Sequence, residues 1–125
     1  MREIKFRVWD IVWGKMRYNK DLWDIPYNEI FIHTPDQRAL NLMQYIGIKD
    51  EDAKDIYEGD VVERVDRTPI AHMYGKIVIG IVGFDNGSFV LNTDEGAYSM
   101  DNNKLSNTCS YRVIGNIYEN PELIG

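Results

Sequence analysis

"GKIVIGIVGFDNGSFVLNT", residues 75–93, decides the fold. Asn86-Gly87 is the dipeptide that best tolerates positive φ at both central positions of a two-residue type I′ hairpin turn. Both flanking runs are rich in the β-branched and aromatic residues that suit strands. Closing the chain at Asn86-Gly87 sets Phe84 opposite Phe89 and Val82 opposite Leu91, a stack of apolar pairs worth roughly 0.2 to 1 kcal/mol each. The first strand is apolar on both faces, with Ile77, Ile79 and Ile81 on one side and Val78 and Val82 on the other. Both sides are therefore expected to be covered. Gly80 and Gly83 interrupt it where a sheet bends sharply, as at the corners of small barrels. A strongly curved meander sheet or small, partly open barrel is the expected centre of the molecule.

Working outward, Gly59-Asp60 reverses the chain before Val61 and Val62 enter a strand. Tyr111 to Ile114 supplies another, and "NPEL" (residues 120–123) suits one helical turn. At the other end, alternation puts Ile4, Phe6 and Val8 on one face of a strand over residues 3–9, with Glu3, Lys5 and Arg7 on the other. The pattern resumes from Lys15 to Tyr18, which predicts a hairpin whose basic face looks outward. Trp9, Trp13 and Trp23 cluster around it and read as a small core closing the hairpin. Thr34 as N-cap, Pro35 in the first position and Gln37 three residues after the cap predict a helix of about two turns. A strand follows at Leu42 to Ile46, and the mixed stretch Asp66 to Tyr74 around Pro69 reads as an exposed loop. The expectation is a mainly β chain, with α+β as the alternative class and one or two short helices. It is read as one domain over residues 1–125, made of an N-terminal hairpin subdomain (1–34) and a curved sheet or barrel subdomain (42–125).

With 125 residues, 44% of them apolar and 12% aromatic, the chain can build a single core without covalent staples. Cys109 is the sole cysteine and cannot form an intrachain disulfide; Met1-Arg2-Glu3 opens no apolar signal segment. The longest uncharged apolar stretch, Ile77 to Phe84, is far shorter than the roughly 20 residues of a membrane helix. A reducing, non-membrane setting is expected. The net charge of −6 argues against a general nucleic-acid binder. Charge is also unevenly distributed: residues 1–20 hold six basic and two acidic groups, while the remaining 105 hold eight and eighteen. Such a dipole can steer the basic end toward an acidic surface, including that of another copy.

Potential chemistry concentrates in "LMQYIGIKDEDAKDIYEGDVV", residues 42–62, with Asp50, Glu51, Asp52, Asp55, Glu58 and Asp60. An EF-hand loop starting at Asp50 would place Lys54 fifth, Asp55 sixth and Val61 twelfth, where a ligand, a glycine and a glutamate are required. A carboxylate pair for acid–base hydrolysis is defined by separation in space, so sequence leaves it open. The Asp-rich composition of "KDEDAK" reads more readily as a turn. Cys109 has His33 and His72 far off in sequence, no serine sits in a Gly-x-Ser-x-Gly elbow, and two histidines without cysteine partners make no zinc spacing. No glycine loop ends in the Gly-Lys-Ser/Thr of a phosphate loop. The residues thus assign no catalytic, cofactor-binding or metal-binding position.

Four stretches together resemble the YopX family of phage and prophage proteins: "REIKFRVWD" (2–10), "LMQYIGIKDEDAKDIYEGDVV" (42–62), "GFDNGSFVL" (83–91) and "YRVIGNIYENPELI" (111–124). The similarity spans nearly the whole chain, and the region from Trp13 to Asn41 matches least. The resemblance implies a mainly β protein made in the bacterial cytoplasm, with no assigned activity or site residues to carry over. The leading expectation is a non-catalytic module working through protein contacts with a phage or host partner and through self-association into a homo-oligomer. Lys5, Arg7, Trp9 and Arg17 are its expected contact residues. The second reading is single-stranded nucleic-acid contact through the basic hairpin. The third is a hydrolase using two carboxylates from Asp50 to Asp60.

Overall fold

The computed structural model describes residues 4–10, 14–18, 41–66, 75–100 and 109–124. Trp13, Trp23, the helix expected from Thr34, the loop 67–74 and both histidines lie outside these. Among the described residues nine strands run in chain order: β1 (Phe6–Asp10), β2 (Lys15–Tyr18), β3 (Asn41–Lys49), β4 (Asp55–Tyr57), β5 (Asp60–Asp66), β6 (Ile77–Asp85), β7 (Ser88–Thr93), β8 (Gly96–Ser99) and β9 (Cys109–Asn116). A short 3-10 turn follows at Pro121–Ile124, where "NPEL" predicts one. The mainly β class and the strongly curled sheet stand as read: one sheet forms a half-barrel and is accompanied by a second sheet. The strand orders are β2-β1-β3-β4 and β8-β7-β6-β5-β9. By compactness the chain divides into two units, Met1–Tyr45 and Ile46–Gly125.

In the first unit β1 lies between β2 and the start of β3, antiparallel to both. Val8 is fully buried. The hairpin forms as predicted, but its basic residues do not share one outward face. The register pairs Arg7 with Tyr18 and Met43, and pairs Val8 with Arg17 and Leu42. Arg7 and Arg17 therefore sit on opposite faces, and Arg7 is only 3% exposed. Alternation fixes parity within a strand; the turn fixes which residues meet across it, and a one-residue change there flips every side chain of the second strand. Here the Gly14 N–H donates to the Asp10 carbonyl, with Gly14 at φ +64°, and the strands leave that turn in the Val8–Arg17 register.

In the second unit the Asn86-Gly87 hairpin is as the sequence predicts. Both residues have positive φ, 51° and 81°, and Phe84 pairs with Phe89 and Val82 with Leu91. The two phenyl rings meet edge to face at 5.1 Å between centroids. The inward row of β5, β6 and β7 joins Ile46, Ile56, Val62, Val82, Phe89, Leu91 and Met100 in one core, flanked by Ile48, Tyr98, Tyr111 and Val113. Ile56, Val62 and Leu91 are fully buried, each contributing roughly 1.5–3 kcal/mol. Gly80 leaves no room for a side chain beside β7: a Cβ there would lie 2.5 Å from the Asn92 carbonyl oxygen and 2.8 Å from the Thr93 methyl. One expectation is not met. Among the described residues nothing covers the start of the outward row of β6, where Ile77 is 57% and Ile79 46% exposed; Ile81 further along is half-buried.

Candidate functional site

The acidic group resolves into separate structural roles. Asp50 follows β3, is 7% exposed, and accepts three backbone N–H bonds. Its Oδ1 takes those of Asp52 and Lys54, both at 2.9 Å, and its Oδ2 takes that of Val113 in β9, also at 2.9 Å. The backbone reinforces this clasp: Asp50 N–H donates to the Lys54 carbonyl and Glu51 N–H to the Tyr111 carbonyl. Ala53 is held in the left-handed region at φ 65°, a conformation that costs a non-glycine residue about 1 kcal/mol and that these bonds offset. Burial pushes the Asp50 carboxyl up, but the N–H groups of Val113, Lys54 and Asp52 outweigh it and hold the group below the ordinary carboxylate value. The same turn occupies the outer edge of β9, which would otherwise offer unpaired backbone groups.

Asp60, 2% exposed, accepts the Tyr57 N–H at 2.8 Å and closes the β4–β5 turn around Gly59 at φ 85°. Asp55 pairs with Lys49 at 2.5 Å. Glu51 and Asp52 are exposed. The region thus spends its two buried carboxylates on turn geometry. Among the described residues no three His, Cys, Asp or Glu side chains are grouped so as to hold a metal ion.

The four expected contact residues are all described. Lys5 lies with its ammonium 4.8 Å from the centroid of the Tyr45 ring, and Arg17 Nε donates to Asp10 Oδ2 at 2.7 Å. Trp9 is half-buried and paired in register with Met16, while Arg7 is buried. Cross-strand pairing sets Trp9 and Arg7 on one face and Arg17 with Val8 on the other.

Two features go beyond the expectations drawn from sequence. Along the inner face of β5, Arg64 stacks on Tyr98 at 4.5 Å and lies 3.6 Å from Asp66, with Tyr111 its partner on β9 and Cys109 the partner of Asp66. Burial pushes the Tyr111 hydroxyl up to about 12; the Cys109 thiol adds to this and the Arg64 guanidinium opposes it. Separate strands build this cluster, and no local pattern announces it.

The second feature is the C-terminal clasp. Asn116 Oδ1 accepts the N–H groups of Tyr118 and Glu119, its Nδ2 donates to Glu119 Oε1, and Asn120 Oδ1 accepts the Asn116 N–H. Ile117 N–H donates to the Gly59 carbonyl, which ties this turn to the one before β5. The Asn-x-x-x-Asn spacing of "NIYEN" is Asx-turn chemistry and was open to reading. Asn116→Ala leaves two backbone donors without their acceptor. The expected cost is about 2 kcal/mol in urea unfolding with an unchanged m-value.

A curled sheet with this topology has a solved counterpart. The crystal structure of protein EF1440 from Enterococcus faecalis is similar to this chain in fold, with TM-score 0.60 and 20% identity over 100% of both chains. No match is found among curated proteins. The family model described as YopX protein matches residues 5–125, and the chain belongs to the YopX family.

Proposed function

We propose that this YopX-family protein is a non-catalytic interaction module that associates with itself and with a phage or host protein in the bacterial cytoplasm. The observation that supports this reading is the commitment of Asp50 and Asp60 to backbone N–H groups. The two buried carboxylates of the densest acidic stretch are thereby spent on holding turns, which favours surface display as the means of action. Lys5 and Trp9 keep accessible surface on the hairpin and would meet an acidic partner; Arg17, on the face opposite Trp9 and Arg7, would meet it only from the other side.

Light scattering on the full chain tests self-association. The measured mass should rise above the 14.6 kDa of one chain as concentration increases. A mass of one chain at every concentration overturns that part of the proposal. Capture of a partner from prophage-induced cells should fall when Lys5→Glu replaces the wild type, because a rim charge steers encounter. Undiminished capture overturns the hairpin's role, and salt-dependent uptake of short DNA or RNA would move the hairpin to nucleic acid.

A further inference from the structure

We propose that Asn86 is a site of spontaneous covalent modification, at which its side-chain amide is lost through a cyclic imide with the Gly87 nitrogen and the hairpin takes an isoaspartyl linkage. Asn86-Gly87 is the sole Asn-Gly pair in the chain. With Phe84 and Asp85 it forms an exposed tip, so water reaches both reacting groups. Glycine puts no side chain beside its own nitrogen, and the space a Cβ at Gly87 would enter is open to 4 Å. The Asn86 carboxamide and the Gly87 N–H have no hydrogen-bond partner among the described residues. Asn92, Asn116 and Asn120 lack this combination. Asn92 lies in β7 opposite Ile81 and precedes the β-branched Thr93. Asn116 spends its carboxamide on Tyr118 and Glu119. Asn120 precedes Pro121, whose nitrogen has no proton to give up.

The closed turn holds Asn86 and Gly87 at φ 51° and 81°. Opening of the Asp85–Ser88 pair that closes it frees the Asn86 side chain to swing onto the next nitrogen, and exposed turn tips open at little cost. The Gly87 nitrogen then bonds to Asn86 Cγ and gives up its proton, while the side-chain nitrogen leaves as ammonia. Water opens the imide. Cleavage between the nitrogen and Cγ leaves an α-linked aspartate; cleavage between the nitrogen and the main-chain carbonyl carbon reroutes the chain through Cβ and Cγ. No oxidant or other reactant enters. The α-linked product suits the turn, since Asp-Gly also forms type I′ hairpins. The rerouted product inserts an extra backbone atom between Asp85 and Ser88, where the two-residue turn sets the register of Phe84 with Phe89 and Val82 with Leu91. It therefore loosens the hairpin that feeds Val82, Phe89 and Leu91 into the core. The reaction is independent of the association proposed above.

Peptide mapping of the full chain aged in mildly alkaline buffer provides the test. Aspartate and isoaspartate should appear at residue 86 before any product appears at Asn92, Asn116 or Asn120. The purified isoaspartyl chain should melt roughly 5 °C or more below fresh protein. Asn86→Asp has the sequence of the α-linked product and should melt within about 2 °C of wild type. Asn86→Gly keeps a turn-forming pair and removes the reacting amide, so its melting should not change with ageing. Conversion at Asn92, Asn116 or Asn120 ahead of Asn86, or an Asn86 that stays intact throughout, overturns the site. An isoaspartyl chain that melts with fresh protein, or an Asn86→Gly chain that loses as much on ageing as wild type, overturns the effect on the hairpin. Mapping and melting of the aged wild type keep the proposal falsifiable should Asn86→Gly fail to fold.

Discussion

Gly80→Val is expected to lower the melting temperature by roughly 10 °C or more. A Cβ at residue 80 would sit 2.5 Å from the Asn92 carbonyl oxygen, 2.8 Å from Thr93 Cγ2 and 2.9 Å from Leu91 Cγ. The first of these is backbone in the neighbouring strand and cannot swing aside. Relief requires β6 and β7 to separate, which breaks the tight curl that brings Val82 and Leu91 into the core. Overpacking of this kind costs about 3 kcal/mol or more, a large share of the roughly 5–15 kcal/mol that holds a small domain folded. Gly83→Ala is the matched control. Its Cβ would meet the side-chain amide nitrogen of Asn92 at 3.0 Å, the far end of a half-free side chain that can turn away. That change should cost within about 1 kcal/mol. Equal effects at the two glycines would contradict this origin of the curl.

The second large effect belongs to Asp50. Asp50→Ala removes the acceptor of three backbone N–H groups at once, including that of Val113, 63 residues away. A buried donor left without a partner costs about 1–3 kcal/mol; with water reaching part of this turn, the total should be about 3 kcal/mol. Asp50→Asn keeps one acceptor oxygen but turns an amide NH₂ toward a neighbouring donor, so it should lie between alanine and wild type. The pH dependence follows from the direction of the shift. The Asp50 carboxyl lies below its ordinary value in the folded chain, so the unfolded chain takes up a proton first as the solution is acidified. The clasp's contribution is fully present above the unfolded value of 3.8 and is lost as pH falls through the folded one. The stability gap between wild type and Asp50→Asn should thus be constant at neutral pH and narrow below about pH 4, as read from urea midpoints.

Local chemistry made much of this fold legible. Asn86-Gly87 fixed the register of β6 and β7 because the turn's two positive φ angles leave few residue choices. Gly59-Asp60, the strand at Tyr111 and the turn at Pro121 were readable for the same reason: each is decided by residues close by in the chain. Parity across the N-terminal turn was not readable, so Arg7 and Arg17 fell on opposite faces of the hairpin where one basic face was expected. Nor could the composition of "KDEDAK" show that Asp50 reaches Val113, since that bond depends on how β9 returns beside β5. The Arg64–Tyr98–Tyr111 cluster is of the same kind, assembled by the register of the curled sheet. The exposed Ile77 and Ile79 run the other way. There the sequence asks for a cover that the described residues do not supply.

The acidic stretch after β3 acts as a structural clasp, and the titration of Asp50 tests this most directly. In carbon-detected NMR of the wild-type chain, the Asp50 carboxyl should titrate below 3.8, with the Val113 amide resonance moving at the same midpoint. A midpoint above that value, where a proton-donating acid would sit, or a Val113 amide indifferent to the transition, would contradict it.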